Sequence, residues 1–233
     1  MAQRVILIRH GDLGENARGR YIGRTDAPLS AAGKRQAAEL AGEFDRLDGA
    51  RVLCSPLARC RETAGIALGP GGIFANDTDL REIDFGRWEG MSFAEIAAAD
   101  PAGVDRWAAL AGDFAFPGGE SIRDFRKRVR AAAGRIAADP AETVIAVTHG
   151  GVIRLLICLF LGLDVRRYLL FDVQPASITE LSLDGGKGVL KRVNDTHHLS
   201  PPLCPFPLKG EGEIACTNKG RVDCLHRPRG GVR

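Results

Sequence analysis

The chain has 233 residues, of which 45% are hydrophobic and 26% charged, and a formal net charge of +3. This fits a soluble globular protein of one large domain with a tail, and no apolar run approaches the roughly 18 residues that a membrane-spanning helix needs. The apolar run before Arg9 is also too short for a secretory signal, so a cytoplasmic location is expected.

The charge is unevenly spread. Residues 1–196 carry 26 basic and 26 acidic side chains, whereas residues 197–233 carry six and three, so a neutral body precedes a basic tail. With no basic face interleaved with aromatics in the body, no nucleic-acid partner is expected, and no membrane partner either.

Along the chain, short β-branched runs alternate with longer stretches of helical period, the pattern of a parallel sheet covered by helices on both faces. Strands are expected at 4–8 (RVILI), 51–54 (RVLC) and 143–148 (TVIAVT), with later or edge strands at 177–183 and 188–193 joined by an Asp-Gly-Gly turn. Ser30 is a suitable cap for an Ala-rich helix to about Leu47, and Ser55-Pro56 opens a second to about Leu68. A long basic amphipathic helix is expected from Glu120 to Ala138, its Arg123, Arg126, Lys127, Arg128 and Arg130 read as a solvated face. Gly150 starts an apolar helix that Gly162 ends.

The stretch from Leu80 to Gly119, with both tryptophans, is less regular and reads as an insertion covering a site; Trp88 is expected to pack. Cys54, Cys60 and Cys158 read as small buried hydrophobes. The tail cysteines, Cys204, Cys216 and Cys224, lack zinc-site spacing. From His197 the composition turns proline-rich without a sustained period, so disorder is expected there and no part in the chemistry.

Three expected strands end in polar residues: VILI runs into Arg9-His10-Gly11, RVLC into Ser55-Pro56 with Arg59 a turn later, and VIAVT into His149-Gly150-Gly151. In an open α/β sheet the ligand site lies beyond the carboxyl ends of the strands, so these three should converge. The body's two histidines, His10 and His149, each stand at such an end before a glycine. Two arginines and two imidazoles favour an anion, and the Gly150-Gly151 helix start adds backbone N–H groups. A phosphoryl group is the expected ligand.

The spacing rules out three other routes to phosphoryl chemistry. Gly33-Lys34 is followed by Arg35 where a Walker loop needs a hydroxyl. The strand ends supply no carboxylate cluster for a metal, and no cofactor is expected. Six residues after Cys54, where a cysteine phosphatase has arginine, stands Cys60. Histidine remains as nucleophile: Arg9 and Arg59 favour neutral His10, and with His149 they would neutralise charge on the transition state. A proton must reach the leaving alkoxide. Glu82 in LREIDFGRWEG is assigned, since a carboxyl beside a phosphate dianion holds its proton more tightly, but spacing does not rank it above Asp84 or Glu89.

LIRHGDLGEN, YIGRTDAPLSAAGKRQA, SPLARCRETA, LREIDFGRWEG, FPGGES and VTHGGVIR, in this order, resemble the signature segments of the histidine phosphatase superfamily, also called phosphoglycerate-mutase-like. The resemblance spans nearly all of residues 4–182. It implies a three-layer α/β/α sandwich with a mostly parallel central sheet, and a phosphohistidine intermediate on His10. It further implies phosphoryl binding by Arg9, Arg59 and His149, a pocket lined by Asn16, and Glu82 as acid and then base. Gly23 and Gly150 complete the expected substrate-binding set. The expected body is 1–196, acting as a metal-independent phosphomonoester hydrolase on a small phosphorylated metabolite. The segments look most like the small phosphatases, α-ribazole-5′-phosphate phosphatase in particular. A cofactor-dependent phosphoglycerate mutase and a non-catalytic phospholigand-binding protein are the alternatives. Asp12-Leu13 departs from the pattern, which commonly has Glu and then a hydroxyl residue.

Overall fold

The computed structural model describes residues 2–44, 49–109, 114–185 and 187–200. Among these, strands β1 (Arg4–Arg9), β2 (Arg51–Cys54), β3 (Ala75–Asn76), β4 (Thr143–Thr148), β5 (Ile178–Asp184) and β6 (Lys187–Asp195) form one sheet in the order β3-β2-β4-β1-β5-β6. The first four run parallel, and β5 and β6 are antiparallel additions beside β1. Seven α-helices accompany them: α1 (Ala31–Glu39), α2 (Ala41–Phe44), α3 (Ala58–Leu68), α4 (Phe93–Ala99), α5 (Pro101–Ala108), α6 (Ile122–Ala138) and α7 (Gly150–Leu161).

Side-chain alternation along each strand divides the core into two layers. Val5 and Leu7 of β1, Leu53 of β2, and Val144 and Ala146 of β4 pack with α6 and α7. Ile6, Ile8, Val52, Cys54, Ile145 and Val147 point the other way, to residues of α2 and α3. A strand covered on both faces needs no polar alternation, which is why VILI and VIAV are uninterrupted apolar runs. The result is a three-layer α/β/α sandwich with a mostly parallel sheet, as expected. Among the described residues no helix is long and apolar enough to cross a membrane.

The helix starts follow capping chemistry. Ser30 accepts from the Gly33 N–H, Ser121 from Asp124, and Gly162 closes α7 at φ 66°. Some expectations need correction. The helix expected from Ser30 to Leu47 ends at Glu39, with α2 as a separate short turn, and residues 45–48 lie outside the described region. The second helix begins at Ala58 instead of Ser55, because Ser55 lies at the β2 end and donates its N–H to Val147.

Residues 80–119 are more helical than expected. Ser92 and Glu95 form a reciprocal capping box for α4, and Asp100-Pro101 starts α5, both signals present in the sequence. Of the expected tail, residues 197–200 are held against the body: Leu199 packs on the α2/α3 layer, and the Ser200 N–H donates to Glu39. The expected disorder from residue 201 onward, with Cys204, Cys216 and Cys224, lies outside the described residues.

Candidate active site

Sheet register brings the three polar strand ends together. Arg9 of β1 pairs with Thr148 of β4, and Cys54 of β2 with Val147. One step beyond, the His10 N–H donates to Thr148 O, and the His10 and His149 rings meet edge to face with centroids 5.2 Å apart.

His10 is buried, and its Nδ1 lies 2.8 Å from the Gly11 carbonyl oxygen. A carbonyl only accepts, so Nδ1 carries the proton and Nε2 presents its lone pair. Burial, then the charges of Arg9 and Arg59, hold the imidazole pKa well below its ordinary range. His10 is therefore neutral at pH 7, the state a nucleophile requires.

Arg9 donates through Nη1 to Val173 O at 2.6 Å, while its buried Nε has no partner among the described residues. Arg59 is fully buried, and each of its nitrogens has one fixed acceptor: Nε to His149 Nδ1 (3.1 Å), Nη1 to Thr25 O (2.8 Å) and Nη2 to Gly23 O (2.7 Å). One N–H on each terminal nitrogen remains. Burial pushes both guanidinium pKa values down, so both gain from an anion.

His149 is fully buried and engaged at both ring nitrogens. Nδ1 accepts from Arg59, which leaves the proton on Nε2 for donation to Ser55 Oγ at 2.8 Å. Burial, followed by Arg59, depresses its pKa well below the usual value. In this arrangement His149 is neutral and orients Arg59. The Cys60 thiol packs 3.5 Å from the same ring, with its pKa raised by burial, and stays protonated.

Glu82, Asp84 and Glu89 occupy different places. Glu82 is buried in the cavity wall, Oε2 accepting the Gly151 N–H (3.0 Å) and Oε1 its neighbour's Ile83 N–H (3.0 Å). Asp84 accepts from Gly86 and lines neither cavity at the site. Glu89 accepts from the N–H groups of Gly23, Arg24, Thr25 and Phe85 and from the Thr25 hydroxyl, fixing the loop whose carbonyls grip Arg59. Its pKa falls despite burial, because those bonds favour the carboxylate.

Two cavities of about 460 and 280 Å³ share Arg9, Arg20, Ile22 and Glu82. The larger contains His10, Asp12 and Leu13; the smaller has aromatic walls (Tyr21, Phe85, Trp107, Phe116, Tyr168) and Gly150 at the α7 start. The insertion thus covers the site. Trp88 is buried behind this wall against Trp107, Phe114 and Phe116, a packing role as expected.

Asn16 and Gly23 are placed differently from their expected roles. Asn16 is exposed on a 3-10 turn and lines neither cavity. Gly23 is buried, its carbonyl accepts from Arg59 Nη2, and a Cβ there would collide with Ile83 O. Asp12 is a local brace: its carboxylate accepts from Gly14 N–H and Ser30 hydroxyl.

Arg128 was read as part of a solvated face, and this needs correction. It is half-buried, bonding Glu120 and the carbonyls of Asp79, Arg81 and Glu82, and so braces the acid segment. Its i+3 relation to the buried Phe125 was the available signal.

Residues 5–196 match the Histidine phosphatase superfamily (branch 1). A Mycobacterium tuberculosis protein named as bifunctional is 38% identical over 201 residues, covering 84% of this chain and 55% of the relative; the chain thus spans about half of that protein's length. Phosphoserine phosphatase 1 of Hydrogenobacter thermophilus is 32% identical over 198 residues, covering 84% of this chain and 94% of the relative. Among solved structures, the α-ribazole phosphatase of Shigella flexneri superposes with a TM-score of 0.76 at 27% identity, covering 83% of this chain and 96% of that one.

Proposed function

The chain belongs to the histidine phosphatase superfamily, and from that premise we propose that it is a metal-independent phosphomonoester hydrolase acting on a small phosphorylated metabolite. The observation that carries this is His10: a neutral imidazole with its Nδ1 proton held by Gly11 O, in one cavity with Arg9 and Glu82.

In the first step, His10 Nε2 attacks phosphorus, the P–O bond to the alcohol breaks, and the leaving oxygen takes a proton from the Glu82 carboxyl. Arg9, Arg59 and the α7 N-terminus stabilise charge on the phosphoryl oxygens. In the second step, water gives its proton to the Glu82 carboxylate and attacks the phosphohistidine. Inorganic phosphate leaves and His10 returns neutral. Gly151 and Ile83 orient the carboxyl through their N–H groups, while His149, Ser55, Gly23 and Glu89 position Arg59.

Residues 1–196 form the catalytic body in this reading, and residues 197–233 take no part. A cytoplasmic location accompanies it, suited to the free thiols of Cys54, Cys60 and Cys158. α-Ribazole 5′-phosphate is the substrate suggested by the sequence resemblance, and the aromatic wall of the smaller cavity offers stacking partners for its ring.

The test is hydrolysis of p-nitrophenyl phosphate in excess EDTA, with an alkaline quench to retain the acid-labile phosphohistidine. Turnover in EDTA and a phosphoenzyme lost in His10→Ala are expected. Wild-type turnover by His10→Ala would overturn the mechanism. Rapid isomerisation of 3-phosphoglycerate with 2,3-bisphosphoglycerate would replace hydrolase by mutase, and binding of esters without phosphate release would mean a non-catalytic protein.

A further inference from the structure

We infer that Gln36 is a positioning residue that sets the tautomer of His10, holding its proton on Nδ1 through the peptide group between Gly11 and Asp12. This rests on the hydrolase reading and adds to its site a residue that acts through the nucleophile.

Attack on phosphorus needs a free lone pair on Nε2, and a neutral imidazole can carry its proton on either nitrogen. The acceptor beside Nδ1 decides between them, and this is Gly11 O at 2.8 Å. That carbonyl belongs to the same peptide group as the Asp12 N–H, which donates to Gln36 Oε1 at 2.8 Å. A backbone N–H only donates, so the amide oxygen of Gln36, and not its NH₂, faces Asp12. An acceptor at the N–H end of a peptide polarises the group and strengthens its carbonyl as an acceptor. The chain from Gln36 Oε1 through Asp12 N–H and Gly11 O to His10 Nδ1–H is therefore polarised in one direction and ends at the imidazole.

The fold places Gln36 for this. α1 starts directly over residues 11 and 12: the Ser30 N–H donates to Asp12 O at 3.0 Å, and a Cβ on Gly11 would lie 2.6 Å from Gly33 O. Gln36 follows Gly33 by three residues, on the same face of the helix, and stands with His10 in the wall of the larger cavity. The preceding peptide, between His10 and Gly11, is clamped by other groups. His10 O accepts from the Ala176 N–H at 3.0 Å, and the Gly11 N–H donates to the buried Thr63 hydroxyl at 3.1 Å. Thr63 Oγ1 donates in turn to Arg59 O at 2.7 Å, which ties this peptide to the helix turn carrying Arg59. On the next peptide, whose carbonyl meets the imidazole, the corresponding partner is Gln36.

The experiment records the imidazole nitrogens of His10 by NMR in the full chain with isotopically labelled histidine, its signals identified by their loss in His10→Ala. At about pH 8, where His10 is neutral, wild type should show a protonated Nδ1 and a pyridine-type Nε2. Gln36→Met is similar in size but has no acceptor for the Asp12 N–H. In this variant the proton should distribute over both nitrogens, and kcat/KM for p-nitrophenyl phosphate should fall about 10-fold, the worth of one hydrogen bond. Gln36→Glu keeps an acceptor oxygen and should keep the wild-type nitrogen pattern. A wild-type proton on Nε2 overturns the proposal. So does a Gln36→Met pattern equal to wild type, whatever its activity, because a purely structural residue leaves the tautomer alone. A Gln36→Glu pattern equal to that of Gln36→Met also overturns it. If Gln36→Met does not fold, Gln36→Asn, polar but one methylene too short, takes its place with the same outcomes. If wild type hydrolyses no phosphate ester, the hydrolase reading fails, and the nitrogen pattern still decides the role of Gln36.

Discussion

Replacing Gly151 by alanine separates the acid function of Glu82 from the rest of the site. A Cβ built at Gly151 lies 2.5 Å from Glu82 Oε1, and ordinary contact begins near 3.4 Å, so the carboxyl must retreat by roughly 0.9 Å. It is the end of a flexible side chain, and alanine favours helix over glycine by up to about 1 kcal/mol, so stability should hardly fall. Catalysis should suffer more. A displacement of about 1 Å costs on the order of 100-fold, or about 2.7 kcal/mol of barrier, within the range of a general acid's contribution.

The loss depends on the leaving group. For an alkyl phosphate, kcat/KM should fall about 100-fold, because the alkoxide needs the proton. For p-nitrophenyl phosphate it should fall less than about 5-fold, because nitrophenolate leaves without one. Hydrolysis of the phosphohistidine still needs Glu82 as base, so stopped-flow traces should show a burst of nitrophenolate before a slow steady state. Equal losses of kcat/KM for both esters, or no loss with either, would refute the assignment of Glu82.

Three further outcomes test other parts of the structure. Both buried histidines have depressed pKa values, so between those values and about 6.5 the unfolded chain binds more protons and stability falls as pH drops. The urea midpoint of wild type should therefore decrease from pH 7.5 to 5.5 by more than that of His149→Asn; equal decreases would contradict neutral burial of His149. Glu89→Gln turns an acceptor of five donors into a group with an NH₂ of its own. A loss of about 1–3 kcal/mol in stability is expected, with kcat/KM down about 10-fold as the loop around Arg59 loosens. Trp88→Ala removes a buried ring from the aromatic cluster and should cost about 3–5 kcal/mol in chemical unfolding.

The sequence by itself determined the parallel core and the approximate place of the chemistry. Strands buried on both faces must be continuous apolar runs, so VILI and TVIAVT were legible, and the polar residues ending them marked the rim of the sheet. Capping residues fixed the starts of α1 and α6 and the end of α7 for the same local reason. The capping box at Ser92 was equally local but was obscured by the irregular composition around it.

What only the tertiary structure decided depends on contacts between distant segments. Glu82, Asp84 and Glu89 are equivalent in spacing. Strand register and the Arg128 brace put the first in the cavity, and the fold turns the third toward the backbone of residues 23–25. The same holds for His149, whose placement at a strand end was readable but whose donor to Ser55 and acceptor from Arg59 were not. Arg128 looks like an ordinary helix arginine in the sequence. Its role depends on which carbonyls and carboxylates it meets, and that is set by how α6 packs against the segment from Asp79 to Glu82 and against Glu120.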